Sequence, residues 1–407
     1  MSGPLLVRGA RQLLTLRGGS GPRRGLALRD LGLIQDGAVL IRDGVIVSVG
    51  PSRRVENLAQ ARAAREINAA GRVVLPGFVD SHTHLVAWPP RPAEAGAQPD
   101  AAGALRAVPA SRLLFEARRG LGAFIRHGTT TLEAKAGAGG DPAGELKILR
   151  VLAALDRQPL DVASTCLAGS RLPLEYLGRP DDYLQWMCAQ LWPKMRRLAR
   201  FVDVVCAAGG FAALHAGRCL EAARRLGFLL KVHAEQASHD GGARLAVEHG
   251  ALSADHLTYA SAEDVALLAA SSTMATLLPG WDCHPAAERL PPARALIDAG
   301  AAVALATGFT PAASSTASMQ MVMTLACAHL GMTPAEALGA ATINGAHALG
   351  WADRIGSLEA GKQADLLILD APDYHEMAYH FGGNLVAVTL KRGEVLYQQG
   401  EVKWPED

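Results

Sequence analysis

Two histidines one residue apart, His82 and His84 in "GFVDSHTHL", are the first residues whose type and spacing could do chemistry. In an extended strand, residues i and i+2 face the same side, so both imidazoles would project together. Neutral imidazole suits zinc, iron or nickel. Two further histidines end apolar runs: His233 closes "LLKVH" and His256 closes "LSADH". Four imidazoles at the ends of three strands predict a metal centre. A divalent ion there would lower the pKa of a water to about 7, making hydroxide available at neutral pH.

Such a centre needs strands that bring distant segments together. Eight short apolar runs fit that need: "RVVLPGFVDSHTH", "GTTTLEAKA", "PLDVASTCLAG", "FVDVVCAAGG", "LGFLLKVHAEQ", "GALSADHLTY", "STMATLLPG" and "AAVALATGF". Each is followed by a helix-like stretch, such as "AGELKILRVLAALDR". Eight units of this kind predict an α/β fold, a (β/α)8 TIM-like barrel over 71–355, with its chemistry at the C-terminal mouth. Both chain ends are β-rich instead. Asp43-Gly44 splits "GAVLIRDGVIVSVG" and Arg392-Gly393 splits "NLVAVTLKRGEVLYQ", both hairpin signals. Residues 1–70 plus 356–407 are expected to form one small β-sandwich domain. The Pro/Ala/Gly-rich stretch 89–104 is read as a loop after the first barrel strand.

Composition narrows the partners. The 407 residues are 49% hydrophobic and 19% charged, with a formal net charge of +1. That balance gives no electrostatic case for nucleic acid or a membrane surface. No run approaches the roughly 18 apolar residues of a membrane span. The N-terminal stretch lacks the apolar core of a signal peptide. Six cysteines without a CxxC pair read as buried thiols in a reducing, cytoplasmic setting.

The chain resembles the imidazolonepropionase family of the amidohydrolase superfamily over nearly its whole length. The resemblance rests on "PGFVDSHTHLV", "HGTTTLEAK", "LEYLGRPDDYLQWM", "KVHAEQASHDGGARLAVEHGALSADHLTY" and "DAPDYHEMAYHFGGNLV". It implies a distorted barrel with a sandwich built from both termini. It also implies one divalent metal, zinc or iron, and a homodimer. The implied reaction is hydrolysis of a ring amide: imidazolone-5-propionate plus water gives N-formimino-L-glutamate in histidine degradation. By the same resemblance, His82, His84 and His233 match metal ligands. His256 matches the histidine that contacts the water or the substrate carbonyl, and Gln236 a residue beside the substrate ring. Arg91, Lys135 and Ser170 fall at substrate-binding positions.

Some positions depart from the family. Its T-D-F-N-P-G reads Thr307-Gly308-Phe309-Thr310-Pro311-Ala312, so glycine stands where a metal-binding, water-orienting Asp is expected. Its K-S-G-Y-G reads Lys135-Ala136-Gly137-Ala138-Gly139, and its G-A-H reads Ala168-Gly169-Ser170. Asp282 and His284 in "LLPGWDCHP" are candidates to replace the lost carboxylate. The expectation is a metal-dependent cyclic-amide hydrolase with altered substrate or reduced activity. Two other readings stay open: an amidohydrolase-fold pseudoenzyme or binding protein, and a hydrolase or deaminase of another heterocycle.

Overall fold

Strands that are apolar along most of their length need cover on both faces, and the eight runs obtain it by forming a ring wrapped in helices. The computed structural model describes residues 3–86, 105–137, 142–170, 172–207, 211–283, 289–311, 316–398 and 400–404. Eight parallel strands lie side by side in chain order: Phe78–Asp80, Thr129–Ala136, Asp161–Ala168, Phe201–Val205, Leu229–Ala234, Ser253–His256, Met274–Leu277 and Val303–Leu305. They are called the first to eighth barrel strands below. The second is buried along its whole length. The helices are two-faced. Ala110–Arg126 turns Leu113, Ala117, Leu121, Phe124 and Ile125 inward, a three-to-four-residue spacing that makes one stripe.

The ring closes just beyond the ends of the first and eighth strands. Thr83 and Phe309 form a parallel bridge. The Gly308 amide donates to the His82 carbonyl at 3.1 Å, and the His84 amide to the Phe309 carbonyl at 2.7 Å. Deeper in, the Asp80 carboxyl accepts from the Thr307 amide at 3.1 Å and from the Thr307 hydroxyl. The histidine pair is thus tied by its own backbone to the end of the eighth strand.

Strands from both chain ends share one nine-stranded mixed sheet. Leu366–Leu369 from the C-terminal part pairs with Val73–Pro76, which in turn pairs with Leu5–Leu14. The two hairpin turns are as expected: Asp43 and Gly44, like Arg392 and Gly393, all have positive φ, the I′ geometry that suits the strand twist. A buried ion cluster fastens this sheet to the barrel floor. Lys391 Nζ lies 2.7 Å from Asp161 Oδ2, at the start of the third barrel strand, and 2.6 Å from Asp365 Oδ2. All six cysteines are free. Only Cys166, Cys206 and Cys219 are buried; Cys188, Cys283 and Cys327 are half-buried. The stretch 89–104 lies outside the described residues.

Candidate metal centre

Three strand ends deliver the histidines to one place. His82 and His84 follow the first strand, His233 is near the end of the fifth, and His256 ends the sixth. One ring nitrogen from each of His82, His84 and His233 lies within 4.8 Å of the others. The rings of His82 and His233 are 4.6 Å apart, centre to centre, and His256 stands 5.1 Å from His82 and 5.0 Å from His233.

Carboxylates back two of these rings. His82 Nδ1 is 2.7 Å from Asp255 Oδ2, and His233 Nδ1 is 3.0 Å from Asp203 Oδ2. For His82, a proton held at Nδ1 by the Asp255 carboxylate leaves Nε2 with a free lone pair, the form that binds a metal. Burial, reinforced by the nearby Lys135 charge, pushes His82 well below the usual histidine range. Burial and then His233 push His84 down to about 3. Burial and His233 likewise depress His256. These imidazoles are therefore neutral at pH 7, as a ligand must be.

Below the histidines lies a layer of charge. Lys135 Nζ is 2.8 Å from Glu133 and 2.6 Å from Asp203, and Lys231 Nζ is 3.2 Å from Glu133 and 3.5 Å from Asp255. All five are fully buried. Burial by itself would neutralise Lys135, but Asp203, Glu133 and Asp255 outweigh it and raise its pKa. Burial would also raise Asp255, yet Lys231 and the bond from His82 hold it well below the carboxylate range. Three carboxylates against two ammonium groups leave one formal negative charge beneath the neutral rings of His82, His84 and His256. That sign favours a cation. Asp203 Oδ1, Asp255 Oδ1, His233 Nδ1 and His256 Nδ1 are buried without a hydrogen-bond partner among the described residues. Buried orphans of this kind are costly, so the donor set fits a divalent ion.

The other expected residues are placed as follows. Gln236 is half-buried, just past the fifth strand. It follows Glu235, whose carboxylate accepts from the Asp240 and Ala243 amides at 2.6 and 2.9 Å and so shapes that loop. Lys135 is spent on carboxylates under the histidines. Ser170 is exposed at the exit of the third strand. Asp282 is buried after the seventh strand, with Oδ1 accepting from the Thr258 hydroxyl at 2.8 Å; among the described residues it is not grouped with the three histidines. Arg91 and His284 lie outside the described residues. Gly308 has φ +63, and a Cβ built there would meet Leu278 Cδ2 at 2.8 Å.

Sequence reasoning missed Glu133, Asp203, Lys231 and Asp255. The signal was present: "FVDVV", "LLKVH" and "SADH" each place one Asp or Lys in a short strand, and "TLEAK" places Glu133 and Lys135 two residues apart. A charge in such a run is rarely buried without a partner.

Comparisons with known proteins bear on the family and the fold. The Amidohydrolase family model matches residues 73–396. Imidazolonepropionase of Geobacillus kaustophilus is 41% identical, covering 98% of this chain and 99% of that protein. That of Symbiobacterium thermophilum is also 41% identical, covering 98% of each. Among solved structures, a zinc-bound adenosine deaminase from Xanthomonas campestris superposes with a TM-score of 0.73 at 21% identity, covering 98% of this chain and 94% of that one. The ochratoxinase of A. niger superposes with a TM-score of 0.75 at 20% identity, covering 100% and 98%. Those two likenesses concern the fold.

Proposed function

The chain belongs to the imidazolonepropionase family of amidohydrolases, and from that premise we propose that it hydrolyses the ring amide of imidazolone-5-propionate to N-formimino-L-glutamate. The observation that carries this reading is the convergence of His82, His84 and His233 within 4.8 Å, with His256 against them. A divalent ion, zinc or iron, held by those three imidazoles would supply an acidified water and polarise the amide carbonyl. The chain's own residues do the rest. Asp255 fixes the tautomer of His82, and Asp203 places its charge 3.0 Å from His233 Nδ1. His256 takes the proton of the attacking water and returns it to the ring nitrogen as the C–N bond breaks. Gln236 sits at the fifth-strand exit, where its amide can pair with the substrate ring.

Gly308 lowers the rate in this proposal. Neither a proton acceptor nor a fourth ligand can come from its side chain. A missing general base typically costs about 10²–10⁴ in rate. Three histidines without a carboxylate remain a sufficient zinc set.

The test is metal analysis of the purified protein coupled to turnover of imidazolone-propionate. About one zinc or iron per chain with release of N-formimino-glutamate is expected. Metal-replete protein that forms no N-formimino-glutamate would overturn the substrate assignment.

A further inference from the structure

His256 stands in a conformation that its strand would not choose. The ladder pairs His233 with Asp255, and Ala234 with His256. Partners across a parallel ladder face the same side, so a regular strand would turn His256 outward beside Ala234. Instead His256 has φ +80 and Leu257 has φ +62, both left-handed. This twist brings the His256 ring back to 5.0 Å from that of His233. A left-handed pair of non-glycine residues persists only where its surroundings over-determine it.

The fifth strand supplies one side of that support. The Leu257 amide donates to the Ala234 carbonyl at 3.0 Å, and the Tyr259 amide to the Glu235 carbonyl at 2.8 Å. The other side comes from the segment after the seventh strand. Trp281 sets its ring edge-on to His256, with centres 6.0 Å apart. Asp282, on the same short turn Pro279–Asp282, receives the Thr258 hydroxyl at 2.8 Å. Asp282 is 5% exposed and Thr258 7%. Asp282 Oδ2 is buried with no partner among the described residues. A leucine would fill that space without stranding a carboxyl oxygen, so the acceptor itself is what the site retains. Leu278, at the head of the same segment, closes against Gly308. The segment therefore leans on the two strand ends, sixth and eighth, that flank the proposed chemistry.

We propose that Asp282 is a positioning residue: through Thr258 it clamps the left-handed turn at His256 and Leu257, and so aims the His256 ring at the three-histidine cluster. This rests on the reading of His256 as the proton-carrying group. Asp282 touches neither the histidine cluster nor the reacting atoms in this role.

The experiment compares Asp282→Ala, Thr258→Val and Asp282→Asn as metal-loaded proteins. It has two readouts: turnover of imidazolone-propionate, and the His256 ring resonance in protein labelled at histidine Cε1, assigned with His256→Asn. Asp282→Ala and Thr258→Val should each lower kcat roughly 10- to 100-fold, as small misplacements of a reacting group do, with KM within about twofold and metal content unchanged. Combining them should cost no more than either alone, because both break one bond. Asp282→Asn keeps an acceptor oxygen and should stay within about threefold of wild type. The His256 resonance should move in the first two variants and not in the third. A kcat and a resonance unmoved in Asp282→Ala, or additive losses in the double variant, would overturn the clamp. If wild type has no turnover but the resonance still moves as described, the clamp stands and the substrate assignment falls.

Discussion

His82 Nδ1 and Asp255 Oδ2 meet at 2.7 Å, both fully buried, and that contact orders the centre from below. It fixes which nitrogen of His82 faces the cluster. The same Asp255 oxygen also lies 3.5 Å from Lys231 and 3.6 Å from Lys135. One carboxylate therefore orients a candidate ligand and balances two buried ammonium groups. Asp255→Asn should weaken zinc affinity about 10- to 100-fold, the usual cost of losing such a partner. Competition with a chromophoric chelator measures it. Unchanged affinity would mean that His82 is oriented by its backbone alone.

The ion cluster between the terminal sheet and the barrel makes a different prediction. Lys391 is buried between Asp161 and Asp365, so Lys391→Met leaves Asp365 without its cation and Asp161 with Arg392 alone. Breaking a buried pair in this way costs roughly 3–5 kcal/mol. A fall of that order in denaturant stability, with bound metal unchanged in the folded protein, is the expected result. A loss below about 1 kcal/mol, the range of surface pairs, would show that water reaches the cluster.

Gly308→Asp is not a simple restoration. At φ +63 aspartate is tolerated better than most residues. Its Cβ would still press on Leu278 at 2.8 Å. The single variant should lose about 1–2 kcal/mol of stability through overpacking. Adding Leu278→Ala should relieve the contact and raise kcat about tenfold or more above wild type, toward the value of a placed base. Equal kcat in wild type and the double variant would show that position 308 does not limit the rate.

Asp282 sets a pH dependence of stability. Burial pushes its carboxyl up to about 7, against a smaller opposing effect of the Thr258 hydroxyl. The folded value thus lies above the unfolded one. The protonated group's contribution is complete below about pH 4 and is lost as pH rises toward 7. The unit conversion puts that loss at up to roughly 4 kcal/mol, an upper bound because the site can relax. Asp282→Asn, which does not titrate, should flatten this part of the melting-temperature profile and gain on wild type as pH rises from 4 to 7. Parallel profiles would place the carboxyl in contact with water.

The chain's own letters determined the architecture and half of the centre. Apolar runs with helical stretches between them can bury their surface only as a ring of strands wrapped in helices, and all eight were found where they were read. His82 and His84 were legible because alternation in a strand is local geometry. The charged layer was harder to read. Glu133, Lys135, Asp203, Lys231 and Asp255 come from four strands, and each charge alone looks like a defect in an apolar run. Only closure of the barrel brings them within ion-pair distance. His256 shows the limit most directly. Alternation would face it away from the cluster, and a left-handed turn, held by the neighbouring fifth and seventh strands, faces it inward. Backbone strain of that kind is stabilised by contacts between segments far apart in the chain, so tertiary structure alone decided it.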